Sequence, residues 1–238
     1  MGQGLPSERE LAEKFKVSRA VIREALKSLE QSGFVEIRIG SSGGAFVAGN
    51  LHLPLFFSIY DLLKGGELTL DHFYEVRRMV ECASVRLACT KATAKDIERL
   101  RILNRKILDD LNDPSKPKGG NRAFHLAIAE ISGNPLSRLI VHSLLLLIDN
   151  MLPTLTQYRG FVRKMCERHE AIIQAMETRD VTLCELLMAT DTEFTKKLKP
   201  WKEAVLIRSR TKAMSGRDKA RKRKHVNLIK KGVFQHEI

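Results

Sequence analysis

Two short helical stretches, each opening on a serine and separated by a tight turn, fall within residues 5–35 and constrain this chain more than anything else in it. Ser7 is placed to cap the first stretch, and Glu10, three residues on, can close a capping box. Leu11 and Phe15 then share one face. Ser18 is placed to cap the second. Val17 before that cap and Ile22 after it are spaced as a hydrophobic staple, and Ile22, Ala25, Leu26 and Leu29 continue an apolar stripe at helical spacing. Arg19, Ala20, Arg23 and Lys27 are left facing outward. The pattern predicts a helix-turn-helix, whose second helix suits a DNA major groove because guanidinium forks near its N-terminus can meet guanine edges or phosphates.

Gly33 is placed to end the second helix. Phe34, Val35 and Ile37, then Ala45, Phe46 and Val47, read as two short strands around Gly40-Ser41-Ser42-Gly43-Gly44. Such a wing can bring backbone amides close to sugar and phosphate; otherwise it is a small structural hairpin. Taken together, LPSERELAEKF, VSRAVIREALKSLEQSGFVE and GGAFV resemble the winged-helix domain of the GntR family of bacterial transcriptional regulators. The resemblance implies DNA contacts at Arg9, Ser18, Arg19 and Arg23 in the helices and at Gly40 and its neighbours in the wing. Ala20 stands where many members have a hydroxyl side chain. It also implies a further helix before LPSERE, where this chain supplies only Met1 to Gly4, so that a chain truncated at its N-terminus is expected. Loss of that helix would leave part of the apolar face of Leu11, Phe15 and Leu26 uncovered.

The 238 residues exceed what a lone winged helix needs and leave room for a second core. No uncharged apolar run of about 18 residues occurs and no signal peptide opens the chain, which predicts a cytoplasmic protein with no membrane partner. Cys82, Cys89, Cys166 and Cys184 are scattered without metal-binding spacing and read as small core residues. The net charge of +13 is concentrated at one end. Between Arg208 and Lys231 eleven Lys or Arg face the single Asp218, which accounts for ten of those charges. That tail would attract phosphate without sequence preference, or else is a disordered, solvated end.

From Leu70 onward the pattern is helical. Leu70 to Thr90 carries Phe73, Val76, Val80, Ala83 and Leu87 at spacings of three and four, and Thr93 to Leu111 repeats it. A loop from Asp113 to Gly120 follows, then helices over Asn121 to Ser132, Pro135 to Asn150, Tyr158 to Arg179 and Asp180 to Leu198. These predict an antiparallel helical bundle. Phosphate loops and nucleophile elbows are missing from the sequence.

The bundle carries candidate metal ligands. Asn121 and His125 lie four apart on one face, His169 falls on a later helix, and Asp191 is on the last. Inward side chains of facing helices can converge on one site. The pattern NRAFHLAI, then RHEAIIQAMETRD and a final helix, is similar to the FCD ligand-sensing domain of the FadR subfamily, in which many members hold a divalent metal with one Asp and three His. The resemblance implies Asn121 in place of that Asp and Asp191 in place of the last His, with His125 and His169 matching. Such a set could hold zinc, nickel or manganese, or its histidines could be satisfied by hydrogen bonds alone. Arg77 matches an arginine that commonly faces the pocket in this family. It could clamp a ligand carboxylate, or pair with Glu81 four residues on.

The expected architecture is mainly α. An N-terminal winged helix-turn-helix (1–50) is joined by a linker (51–69) to an antiparallel all-α FCD-like bundle (70–199), and a basic, disordered tail (200–238) ends the chain. The resemblance implies a homodimeric, ligand-responsive regulator of double-stranded operator DNA, a repressor rather than an activator, with a small carboxylate effector. The alternatives are a metal-dependent enzyme using His125, His169 and Asp191 around an activated water, and a degenerate relic that no longer binds DNA.

Overall fold

The computed structural model describes residues 2–40, 43–112, 120–151 and 159–196. Helix α1 (Glu8–Phe15) opens on the expected capping box: Ser7 Oγ accepts from the Glu10 amide at 3.3 Å, and the Glu10 carboxylate accepts from the Ser7 amide at 2.8 Å. Helix α2 (Arg19–Gln31) opens on Ser18, whose Oγ accepts from the Val21 amide at 3.3 Å. Gly33 ends it at φ +77°, where a Cβ would lie 2.5 Å from the Asn50 carbonyl oxygen, so no other residue fits without moving the backbone. Strands β1 (Val35–Arg38) and β2 (Gly44–Val47) pair antiparallel with Val35 opposite Val47.

The other edge of β2 is taken by the first residues of the chain. The Gly2 amide donates to the Val47 carbonyl (2.9 Å), the Val47 amide to that of Gln3 (2.8 Å), and the Leu5 amide to that of Ala45 (2.7 Å). Leu5 thereby reaches the small core of Ala12, Ile22 and Leu26. The apolar stripe expected on α2 is narrower than its spacing suggests, since Ala25 and Leu29 are exposed and only the Ile22 and Leu26 row is covered. Of the apolar face of Leu11, Phe15 and Leu26, Leu26 is buried with Leu11 packed against its cluster, while Phe15 is 61% exposed.

The stretch 51–69, expected as a linker, instead contains helix α3 (His52–Gly65). Its LPLFFSIY sequence is too apolar to stay in water. Phe56 and Tyr60 bury against Leu145 and Ile148 of α7 (Pro135–Met151). The rest of the bundle comprises α4 (Leu70–Lys91), α5 (Ala94–Asn112), α6 (Gly120–Ile131), α8 (Arg159–Glu177) and α9 (Val181–Lys196). Helix α4 packs against α9, α6 and α7, and α5 against α8 and α6. Arg77 bonds Thr195 while Arg86 pairs with Glu185, so α4 and α9 run antiparallel.

The buried face of α4 is rotated from the apolar stripe read in the sequence. Phe73, Tyr74, Arg77, Glu81, Ser84 and Val85 face inward, whereas Val76 is 46% and Leu87 37% exposed. Two charged side chains occupy core positions there, which a hydrophobic pattern cannot register. Below them Val85, Leu100, Phe124, Ile128, Ile172 and Met176 form the main core. Phe124 is fully buried, and its truncation to Ala would cost about 3–5 kcal/mol. Arg179, in a left-handed conformation at the end of α8, donates to the Cys89 and Ala92 carbonyls and closes the last turn of α4. The cysteines are free, three of them buried and Cys82 half-buried. Among the described residues no helix is long and apolar enough to cross a membrane. Residues 113–119 of the expected loop and the tail at 200–238 lie outside the described residues.

Candidate functional site

The residues expected to contact DNA are all on the surface. Arg9, on α1, lies 3.8 Å from Glu13. Ser18 is exposed, with its hydroxyl engaged in the cap of α2. Arg19 and Arg23, one turn apart at the start of α2, both approach a residue that the sequence reading passed over, Glu8 in the first turn of α1. Arg23 Nε and Nη2 donate to Glu8 Oε1 and Oε2 at 3.1 and 2.7 Å, and Arg19 Nη2 lies 3.9 Å from Oε2. The hydrogen bond from Arg23 holds the Glu8 carboxyl below its ordinary pKa. An acidic residue in a first helical turn looks like an ordinary partner of the helix dipole, and nothing in the sequence marks it otherwise. Gly40 stands exposed in the wing at φ +131°, beside the fully exposed Ile39. The wing closes tightly, for a Cβ on Gly43 would lie 2.5 Å from the Arg38 carbonyl oxygen.

In the bundle the structure brings together His125 of α6, His169 of α8 and Asp191 of α9, all buried, with one ligand atom from each within 4.8 Å of the others. His125 sits between two carboxylates. Its Nδ1 lies 2.5 Å from Glu81 Oε2 and its Nε2 3.4 Å from Asp191 Oδ2. Burial alone would lower its pKa, but Glu81 and Asp191 together outweigh burial and raise it to about 9. Against the upward push of burial, Arg77 first and His125 with it hold Glu81 at about 2.

His169 is arranged differently. Its Nδ1 is 3.2 Å from Asn104 Oδ1, and its ring stacks on Phe124 with centroids 3.9 Å apart. Asn104 Nδ2 donates to the Cys166 carbonyl at 2.9 Å, which fixes which end of the amide faces the imidazole. Burial lowers the His169 pKa to about 3, so the ring is neutral, Nδ1–H donates to Asn104, and Nε2 keeps its lone pair. That atom is buried and without a hydrogen-bond partner among the described residues. Asp191 Oδ1 lies 3.4 Å from Arg168 Nε, and neither carboxylate oxygen of Asp191 has a hydrogen-bond partner among the described residues. Burial pushes the Asp191 pKa up, but the charged His125 imidazolium beside it outweighs burial and holds the group at about 2. Asn121, one turn before His125 on α6, likewise has a buried, unpartnered Oδ1.

The atoms of His125, His169 and Asp191 fit a divalent cation. Two imidazole nitrogens and a carboxylate are zinc-type and nickel-type donors, and the 3.4 Å between His125 Nε2 and Asp191 Oδ2 is near the separation of two donors on a tetrahedral ion at about 2.1 Å. Acceptors behind both imidazoles, Glu81 and Asn104, are what a metal-binding histidine uses to hold its tautomer.

Arg77 is fully buried beside this cluster. The pairing with Glu81 exists, with Nε donating to Oε1 at 2.5 Å, and Nη1 donates to Thr195 Oγ1 at 2.7 Å. Nη2 is left buried with no hydrogen-bond partner among the described residues. Local spacing in the sequence links Glu81 only to Arg77 and gives no sign of the roles of Arg168 and Thr195. Asn104 left one signal, a polar residue at an apolar position of α5 between Leu100 and Ile107.

Comparison with known proteins places both parts. Residues 1–47 match the bacterial regulatory proteins of the gntR family, and residues 72–193 match the FCD domain. The chain is 31% identical over 194 residues to the HTH-type transcriptional regulator LutR of Bacillus subtilis, covering 79% of this chain and 87% of that protein. It is 33% identical over 189 residues to the HTH-type transcriptional repressor NanR of Cronobacter sakazakii, covering 75% and 70%. A solved GntR protein of Streptococcus agalactiae shares the fold, with a TM-score of 0.60 at 24% identity over 82% of this chain and 90% of that one.

Proposed function

Because the chain belongs to the GntR family and joins that family's winged helix to an FCD domain, it is a DNA-binding transcriptional regulator, and we propose that it is a repressor whose bundle senses a small organic acid through a divalent metal. The observation that carries the sensing part is a set of buried polar atoms that have no hydrogen-bond partners among the described residues: Asn121 Oδ1, His169 Nε2, both Asp191 oxygens and Arg77 Nη2. A buried polar atom without a partner costs about 1–3 kcal/mol, which a ligand recovers on binding. His125, His169, Asp191 and Asn121 would hold the metal, whose chemistry is to attract a carboxylate oxygen as a Lewis acid. Arg77 donates Nη2–H to the same carboxylate, and Glu81 and Thr195 keep its guanidinium in place.

On the DNA side, Arg9, Ser18, Arg19, Arg23 and Gly40 contact operator DNA, and two copies of the chain present two recognition helices to a two-fold operator. The repressor assignment is supported by the name that NanR carries. The effector acts by linkage: an acid that binds one arrangement of the bundle better than another shifts the operator affinity.

The test measures metal content of the purified chain, then thermal unfolding with zinc, nickel or manganese and a panel of short mono- and dicarboxylic acids. The expected result is a stoichiometric metal, a rise in Tm with at least one acid, and loss of that acid's effect in Arg77→Met. Unfolding indifferent to every metal and acid would refute the sensor.

A further inference from the structure

We propose that Glu8 is a positioning residue for sequence recognition, holding the Arg23 guanidinium, and Arg19 beside it, in the orientation that reads guanine. This inference rests on the DNA-binding reading and adds to it a residue of the opposite charge from those expected at a DNA surface.

The geometry is specific. Glu8 takes the Nε–H and one Nη2–H of Arg23 through both of its oxygens, at 3.1 and 2.7 Å. That is the side edge of the guanidinium. The end edge, with one hydrogen of Nη1 and the second of Nη2, is not used by Glu8, and it is the fork that matches the O6 and N7 acceptors of guanine. Arg23 has a long side chain with several rotatable bonds on an exposed helix face, so an unheld guanidinium samples many orientations and loses them on binding DNA. A carboxylate already seated on one edge removes part of that loss before DNA arrives.

Charge points the same way. Arg19 and Arg23 are four apart on α2 and repel each other, yet both lie against the same Glu8 oxygen, at 3.9 and 2.7 Å. One negative charge therefore keeps two positive forks side by side. Glu8 also links the first turn of α1 to the first turns of α2, where it faces the two arginines together. A residue serving only general attraction to phosphate would not be acidic there, because a carboxylate weakens that attraction.

The two roles separate experimentally. Full-length wild-type protein and the Glu8→Gln and Arg23→Ala variants each select from a random duplex pool, and affinity for the wild-type winner and for an unrelated duplex is then measured at two salt concentrations. Gln keeps the shape of Glu8 but puts an N–H donor where Arg23 needs an acceptor, and Glu8→Asp tests rescue of the carboxylate. The expected result is that Glu8→Gln loses preference for the selected duplex by about tenfold, as one good base contact would. Its affinity for the unrelated duplex holds or rises, with a salt slope steeper by about one, and Glu8→Asp recovers part of the preference. If Glu8→Gln keeps the wild-type preference while Arg23→Ala loses it, or weakens both duplexes equally along with a fall in Tm, Glu8 is only a structural strut and the inference fails alone. If wild-type protein enriches no sequence, the DNA-binding reading fails and the inference with it.

Discussion

His169 Nδ1 lies 3.2 Å from Asn104 Oδ1, a contact between α8 and α5 that leaves the opposite ring nitrogen as the lone-pair donor of the buried cluster. Asn104 is itself held by its bond to the Cys166 carbonyl.

Asn104 should therefore matter to metal binding without touching the metal. Asn104→Leu is expected to weaken zinc or nickel affinity about 10- to 100-fold, the usual effect of losing the acceptor behind a ligating histidine. Competition with a chromophoric chelator reads this directly. Unchanged affinity in a folded Asn104→Leu protein would mean that His169 is not oriented for a metal.

The pair of Arg77 and Glu81 is fully buried, so removing one partner strands the other. Arg77→Met is expected to lower unfolding stability by about 3 kcal/mol or more in urea titrations of metal-free protein. The double change Arg77→Met with Glu81→Leu should recover part of that loss. A single variant as stable as wild type would place the pair in water, contrary to its burial.

Metal-free protein should be most stable near neutrality. His125 is raised from 6.5 to about 9, so its contribution is complete below 6.5 and disappears as pH climbs through 9. His169, His52 and His142 are lowered, to about 3, 4 and 3 respectively, chiefly by burial. They stay neutral in the fold while their unfolded counterparts protonate below 6.5, so stability also falls as pH drops from there. Denaturation across this range, after chelation, should give a maximum close to pH 6.5, with the alkaline arm reduced in His125→Gln. Stability that rose steadily through pH 9 would contradict the placement of His125 between two carboxylates.

The helix-turn-helix was legible because its signals are local: Ser7 with Glu10, Ser18, and Gly33 each act within three or four residues, and each has the geometry its spacing implied. The bundle site was half legible. His125, His169 and Asp191 stood out by residue type, but their convergence depends on how α6, α8 and α9 pack, and only a resemblance suggested it. Asn104 and the double role of Glu81 were hidden because a single polar residue in an apolar stripe does not announce its partner. Helix α3 was missed for a different reason: residues 51–69 connect two recognisable parts, and position outweighed the strongly apolar LPLFFSIY. The stripe of α4 was misplaced because Arg77 and Glu81 occupy its core.

The recognition helix makes a further prediction that does not depend on the bundle. A second arginine remains in Arg23→Ala through Arg19, so the variant should keep general affinity for DNA while losing preference. Electrophoretic competition with excess unrelated duplex is expected to displace Arg23→Ala well before wild-type protein. Equal displacement of the two would remove Arg23 from the reading of bases.

The central claim is that this chain recognises a particular DNA sequence through its winged helix. The most direct measurement is fluorescence anisotropy of the purified chain on the duplex lying upstream of its own coding sequence, with an unrelated duplex as control, at two salt concentrations. Tight binding that prefers the upstream duplex at both salts, and loses that preference in Arg23→Ala, is the predicted result. Weak binding of equal strength to both duplexes that vanishes as salt rises would contradict it, because such binding needs only the basic residues between Arg208 and Lys231.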